Sequence, residues 1–185
     1  MKSYDYEHRE EVEPISWDRF AELTRKLTEQ LSGEGIELIL GIARAGLFPA
    51  TLVSCALRRE LYPVRVTRRV DDEVKFEKPV WRVDVPEVVK GRRVAVLDEI
   101  ADTGETLALV AARARERGAL HVITGCLVSH SWANPRPDYA AHQSDALIVF
   151  PWDEKAYLDG LWQTPPEINQ ALKFQKPPGE EQTPS

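Results

Sequence analysis

The chain has 185 residues, 43% of them hydrophobic and 29% charged, with a formal net charge of −6. That length suits one domain with a substantial core, and the balance is ordinary for a globular protein. The negative charge gives no electrostatic argument for nucleic acid or an anionic membrane, and no apolar run approaches the roughly 18 residues of a transmembrane helix.

Residues 1–14 read as a polar, acidic N-terminal arm without the apolar h-region of a secretory signal. Ser16 is placed as an N-cap with Asp18 in the first turn. Phe20, Leu23, Leu27 and Leu31 then repeat at helical spacing until Gly33. Ile36–Ile42 reads as a short apolar strand and Leu47–Leu61 as a helix, with Pro49 in its first turn. Tyr62–Thr67 alternates as a strand, Arg68–Lys78 is charged and loop-like, and Val80–Val85 is another strand. Gly91 turns the chain into Arg93–Leu97, a β-branched run suited to a buried parallel strand. Glu105–Arg117 reads as a helix ending at Gly118; Leu120–Val128 and Ala146–Phe150 read as the last strands. The tail from 163 to 185 is proline-rich and read as flexible, and its end, 175–185, is too polar to bury enough apolar surface to order itself. Cys55 and Cys126 each sit in an apolar run and read as buried, reduced thiols of a cytoplasmic protein.

Strands alternating with helices define an α/β fold with a central, mostly parallel sheet flanked by helices. Ligands of such sheets bind beyond the carboxyl ends of the strands. Two loops lie at such ends, Ala43–Gly46 and Asp98–Thr106.

The second loop carries the chemistry. In VAVLDEIADTGETLALV, residues 94–110, an apolar strand ends in adjacent carboxylates, Asp98 and Glu99. Ala101, Asp102, Thr103, Gly104, Glu105 and Thr106 then lead into a helix. A helix N-terminus offers unpaired N–H groups and a positive dipole end, which suits a phosphate. Gly104 lets the backbone approach the anion, and Thr103 and Thr106 add hydroxyl donors. Asp98 and Glu99 can accept bonds from two vicinal hydroxyls or bind their magnesium. Carboxylates beside a phosphate cradle suit a sugar phosphate. A nucleoside-triphosphatase loop would need a lysine after the glycine, where Glu105 stands, and the G-x-G-x-x-G of dinucleotide binding is absent.

VAVLDEIADTGET resembles the 5-phosphoribosyl 1-diphosphate (PRPP) signature of the type I phosphoribosyltransferases. The resemblance implies that Asp102–Thr106 hold the 5-phosphate and that Asp98 and Glu99 meet the ribose hydroxyls and Mg2+. It also implies that Asp102 takes the proton of the attacking base. GIARAGLFPA, residues 41–50, resembles the family's pyrophosphate loop, with Arg44 and Ala45 at the diphosphate and a cis non-proline peptide bond. Residues 15–50 and 62–153 are similar to the small xanthine–guanine and hypoxanthine–guanine enzymes, with Arg68–Lys78 as the mobile loop. ALIVFPWD, residues 146–153, is similar to their base-binding segment, which puts Leu147 and Ile148 at the base and Asp153 at the metal. His130 stands where those enzymes carry a lysine for the 6-oxo group, and Leu147 where they stack an aromatic residue.

The domain is thus expected over 15–162, with the small hood contributed by the C-terminal and N-terminal segments. Its small-molecule partners are PRPP and a nucleobase, without nucleic acid or membrane, and the resemblance implies a homodimer or larger homo-oligomer. The arginines of Arg58-Arg59, Arg65, Arg68-Arg69 and Arg92-Arg93 are interleaved with acids and read as a solvated face. A 6-oxopurine is the first acceptor to consider. Another base, or a non-catalytic sensor of PRPP or nucleotides on the same fold, stays open.

Overall fold

The computed structural model describes residues 11–67, 69–70, 73–74, 79–166 and 168–169. In chain order the elements are β1 (Val12–Pro14), α1 (Trp17–Ser32), β2 (Leu38–Ile42), α2 (Leu47–Leu57), β3 (Glu60–Thr67), β4 (Arg69–Val70) and β5 (Glu73–Val74). They continue as β6 (Val80–Val83), β7 (Arg93–Ala101), α3 (Glu105–Glu116), β8 (His121–Ser129), β9 (Tyr139–Gln143), β10 (Leu147–Val149), β11 (Ala156–Leu158) and β12 (Leu161–Gln163). They fall into two compact units. One is Ala21–Ser144; the other gathers the described residues before and after it.

The larger unit holds a six-stranded sheet in the order β6-β3-β2-β7-β8-β9. Its neighbours pair in parallel except β3 with β6. The α/β reading with a mostly parallel sheet therefore holds. Leu38, Leu40, Val94 and Val96 of β2 and β7 share a buried cluster with Val110, Ala111 and Ala114 of α3. The alternate residues Ile39, Ala95 and Leu97 are equally buried, as a sheet covered on both faces requires. Leu23, Leu27 and Leu31 give α1 its buried stripe, and Ser16 Oγ accepts the Arg19 N–H at 3.1 Å, the cap the sequence suggested.

Several boundaries differ from the sequence reading. Helix α2 stops at Leu57 rather than Leu61, because Arg58 turns left-handed at φ 54 and the Arg58 and Arg59 N–H groups both return to Ser54 O. The next residues are needed for β3, which pairs with β2 from Leu38↔Glu60 onward. Cys55 is exposed, because α2 buries Pro49, Ala50, Val53 and Ser54 instead; Cys126 is buried as anticipated. Strand β7 runs on to Ala101. Strand β2 leaves it at Leu97, but β8 follows it as far as Ala101↔Ser129. Strand β9 was not anticipated in YAAHQ, where its cue is remote. The Asp138 carboxylate accepts Thr124 N–H at 2.7 Å and Thr124 Oγ–H at 2.8 Å, pinning this edge to β8. Within 68–78, two short strands pair, Arg69↔Val74 and Val70↔Glu73; the rest of that charged stretch lies outside the described residues.

In the smaller unit β10 pairs in parallel with β1, outside the main sheet, and β11 pairs with β12 in a hairpin. Its aromatic cluster sets Phe20 edge-on to Trp152 at 5.3 Å and stacks Phe150 on Trp152 at 4.8 Å. Strand β12 reaches Gln163. Most of the proline-rich tail lies outside the described residues. Among the described residues no helix is long and apolar enough to cross a membrane.

One ion network ties the end of β6 to α3. Asp84 takes Arg113 in a two-pronged bond at 2.9 and 2.6 Å and Arg117 at 2.6 Å. These guanidinium bonds, that of Arg113 foremost, hold the Asp84 carboxyl well below the usual carboxylate range. A depressed folded-state pKa gives stability that is present above the unfolded value, about 3.9, and lost below it. Asp84→Asn is therefore expected to lower the melting temperature at neutral pH. The gap to the native protein should close only as pH falls below about 4. A gap independent of pH down to the acid limit would contradict this.

Candidate active site

The site begins where β7 outlasts β2. Asp98 and Glu99 continue a run whose preceding members, Val94 to Leu97, are fully buried. Asp98 is itself buried at 8% exposure, and Glu99 N–H donates to its Oδ1 at 3.0 Å. Burial, together with the charge and hydrogen-bonding carboxyl of Glu99, pushes the Asp98 acid well above its ordinary range. Glu99 Oε2 is buried with no hydrogen-bond partner among the described residues. A buried carboxyl oxygen without a donor is costly, and a hydroxyl or a metal would complete it.

The following loop is clamped rather than open. Ala101 is buried, its carbonyl accepting His130 N–H at 3.1 Å, and Thr103 O accepts Asn134 N–H at 2.9 Å. Thr103 Oγ accepts the Glu105 N–H at 3.4 Å, at the first residue of α3. Gly104 caps the helix at φ +81, and an added Cβ would lie 2.0 Å from Pro135 O. Besides leaving room for an anion, a glycine here lets the Pro135 carbonyl lie against the loop. The Asn134–Pro135 bond is cis. Thr106, half-buried, follows in the first turn.

The second loop follows β2. The Ala43–Arg44 peptide is cis, as the resemblance implied. Ala43 N–H donates to Val64 O at 2.7 Å, Arg44 O and Ala45 O accept the first N–H groups of α2, and Arg44 is exposed. A Cβ on Gly46 would lie 2.5 Å from Asp98 Oδ1. That close approach brings the Arg44–Gly46 loop against the carboxyl pair.

Asp102 meets a side chain thirty residues further along the chain. Trp132 Nε1–H donates to Asp102 Oδ1 at 3.2 Å. The indole stacks on His130, with ring centroids 4.5 Å apart and 20° between planes. His130 is fully buried rather than at the loop surface, and its Nδ1 donates to Ser144 O. That bond requires a proton on Nδ1, and Nε2 lies 4.0 Å from Asp102 Oδ1. The only advance sign of Trp132 was an aromatic two residues beyond His130, and nothing local linked it to Asp102.

Leu147, Ile148 and Asp153 belong to the smaller unit. Leu147 is fully buried, Ile148 is 5% exposed, and Asp153 N–H donates to Phe150 O at 2.9 Å. Among the described residues no three His, Cys, Asp or Glu side chains gather as a metal cage. Magnesium needs no such cage: it typically keeps waters and binds through one or two carboxylates plus substrate phosphates. The carboxyl pair with its orphaned buried oxygen fits that pattern.

The chain matches the family model of the phosphoribosyl transferase domain over residues 9–158. It is 30% identical over 142 residues to the xanthine-guanine phosphoribosyltransferase of Idiomarina loihiensis, covering 75% of this chain and 85% of that one. It is also 30% identical over 158 residues to the enzyme of the same name from Cereibacter sphaeroides, with the same coverage of 75% and 85%. The purine phosphoribosyltransferase of Pyrococcus horikoshii superposes with a TM-score of 0.71 at 29% identity, covering 80% of this chain and 98% of that one. The chain thus belongs to the phosphoribosyl transferase family and is a PRPP-dependent pentosyltransferase.

Gly104→Ala tests the clamp. A left-handed φ alone costs an L-residue about 1–2 kcal/mol, and the Pro135 clash adds to it. The variant should unfold at lower denaturant and bind PRPP more weakly. Unchanged stability and PRPP affinity would show that the loop tolerates the side chain.

Proposed function

We propose that the enzyme transfers the 5-phosphoribosyl group of PRPP to a 6-oxopurine, giving a nucleoside monophosphate and diphosphate. The observation that carries this reading is the pair of buried Asp98 and half-buried Glu99, beside a clamped helix N-terminus and against the Arg44 loop. One terminus suits a phosphate, the acids suit a diol, and an exposed cation suits a leaving diphosphate. The purine acceptor is supported by the relatives named for xanthine and guanine.

Backbone groups of Thr103, Gly104 and Glu105, with the Thr103 and Thr106 hydroxyls, anchor the 5-phosphate in this proposal. Asp98 and Glu99 fix the ribose. They would also hold Mg2+, which when bound supplies charge neutralisation at the diphosphate and ribose; Asp153 is assigned to the metal from the family resemblance. Arg44, with the Ala45 backbone beside it, meets the departing diphosphate. As the C1–O bond breaks, its electron pair leaves with the diphosphate. A ring nitrogen of the base then bonds to C1, and the proton that nitrogen loses passes to Asp102. Leu147 and the backbone of Ile148 are assigned to the base from the family resemblance, and so is His130. The domain is taken as residues 15–162, acting in the cytoplasm as a homodimer or larger assembly, without nucleic acid as a partner.

The purified protein, given PRPP, Mg2+ and a panel of nucleobases, is expected to release diphosphate with guanine, hypoxanthine or xanthine and to stop when the metal is chelated. Release with another base alone would refute the 6-oxopurine assignment, and PRPP binding without release would favour a sensor. Asp102→Asn is expected to lower kcat by on the order of 10²–10⁴, the usual worth of a general base, while PRPP affinity is kept. Unchanged kcat would remove Asp102 from the proton transfer.

A further inference from the structure

We infer that Trp132 is the positioning residue of the general base: its indole N–H aims the Asp102 carboxylate, and the buried ring of His130 holds the indole in place. The inference rests on the assignment of Asp102 as proton acceptor and names a residue that assignment does not require.

The geometry supports it at three levels. The backbone comes first. His130 N–H reaches Ala101 O at 3.1 Å and Asn134 N–H reaches Thr103 O at 2.9 Å, one bond on either side of Asp102. The segment carrying Trp132 is therefore laced to the segment carrying Asp102 on both sides of that residue. The side-chain bond is second: Trp132 Nε1–H to Asp102 Oδ1 at 3.2 Å. The support beneath it is third. His130 is fully buried, tied through Nδ1 to Ser144 O, and its ring lies under the indole at 4.5 Å. A flat, fixed imidazole under a flat indole leaves little choice of where the N–H points.

The carboxylate needs such a guide. The Asp102 side chain is 21% exposed and sits in a loop ahead of α3. A water and an indole N–H can both donate to the same carboxylate oxygen. What water cannot do is fix a direction, and proton transfer from a bound base depends on direction. Trp132 is itself 42% exposed, so replacing it does not open the core.

Trp132→Phe keeps an aromatic ring for the stack on His130 and removes only the N–H. It is expected to lower kcat about ten- to a hundredfold, the range of a lost hydrogen bond to a charged group, with KM for PRPP unchanged and the melting temperature close to native. In the Asp102→Asn background the same substitution should lower kcat no further, because the group it acts through is gone. A full additional loss in that background would overturn the inference, as would native kcat in the single variant. The indole resonance of Trp132 in a proton–nitrogen NMR spectrum reads the contact separately from turnover. It should move on Asp102→Asn in the protein without substrate, and a resonance that stays put would overturn the contact. An inactive native protein would refute the proposed reaction instead, with the indole resonance still reporting on the contact.

Discussion

Two carboxyl groups, Asp98 and Glu99, sit side by side at the buried end of β7, and the arrangement of the site follows from accommodating them. Charge is expensive away from water, so a protein retains such a pair only where something else satisfies it. Here burial and mutual repulsion already push Asp98 toward its neutral form, and one Glu99 oxygen lacks a donor. A ribose diol, with or without its magnesium, supplies the donors or the positive charge that is missing. The requirement explains Gly46 as well: any side chain there would collide with Asp98 Oδ1, so the loop with Arg44 can approach only because it is glycine.

The phosphate loop follows the same logic of close approach. Its backbone is bonded to the 130–134 segment through Ala101 and Thr103, and Gly104 lets the Pro135 carbonyl lie against it. A loop held in this way presents its helix N-terminus and its Asp102 side chain without paying the ordering entropy when substrate arrives. The β7–β8 ladder, continuing to Ala101↔Ser129, carries both segments to the same end of the sheet.

Much of this was legible in the sequence because it is local. The acid pair, the third acid, and the threonines around Gly104 fall within nine residues, and the apolar run before them fixes their strand. Leu23, Leu27 and Leu31 gave the buried face of α1 for the same reason. What escaped notice depends on partners far along the chain. Strand β9 is held by Asp138 on Thr124, and YAAHQ has little β-propensity of its own. A further constraint on Gly104 lies at Pro135, and the hydrogen-bond partner of the Trp132 indole is Asp102, thirty residues away. The early stop of α2 was hidden because Arg58 takes a left-handed turn that usually calls for glycine. The pairing of β10 with β1, outside the main sheet, required the N-terminal arm, whose short Val12–Pro14 strand has no periodicity to read.

The central claim is that PRPP binds at the Asp98–Thr106 loop. The most direct measurement is a titration of nitrogen-labelled protein with PRPP and magnesium, followed by backbone amide shifts. The largest shifts are expected at Thr103, Gly104, Glu105 and Thr106, with a second group at Ala45 and Gly46. Saturable binding that left those amides unmoved would contradict it.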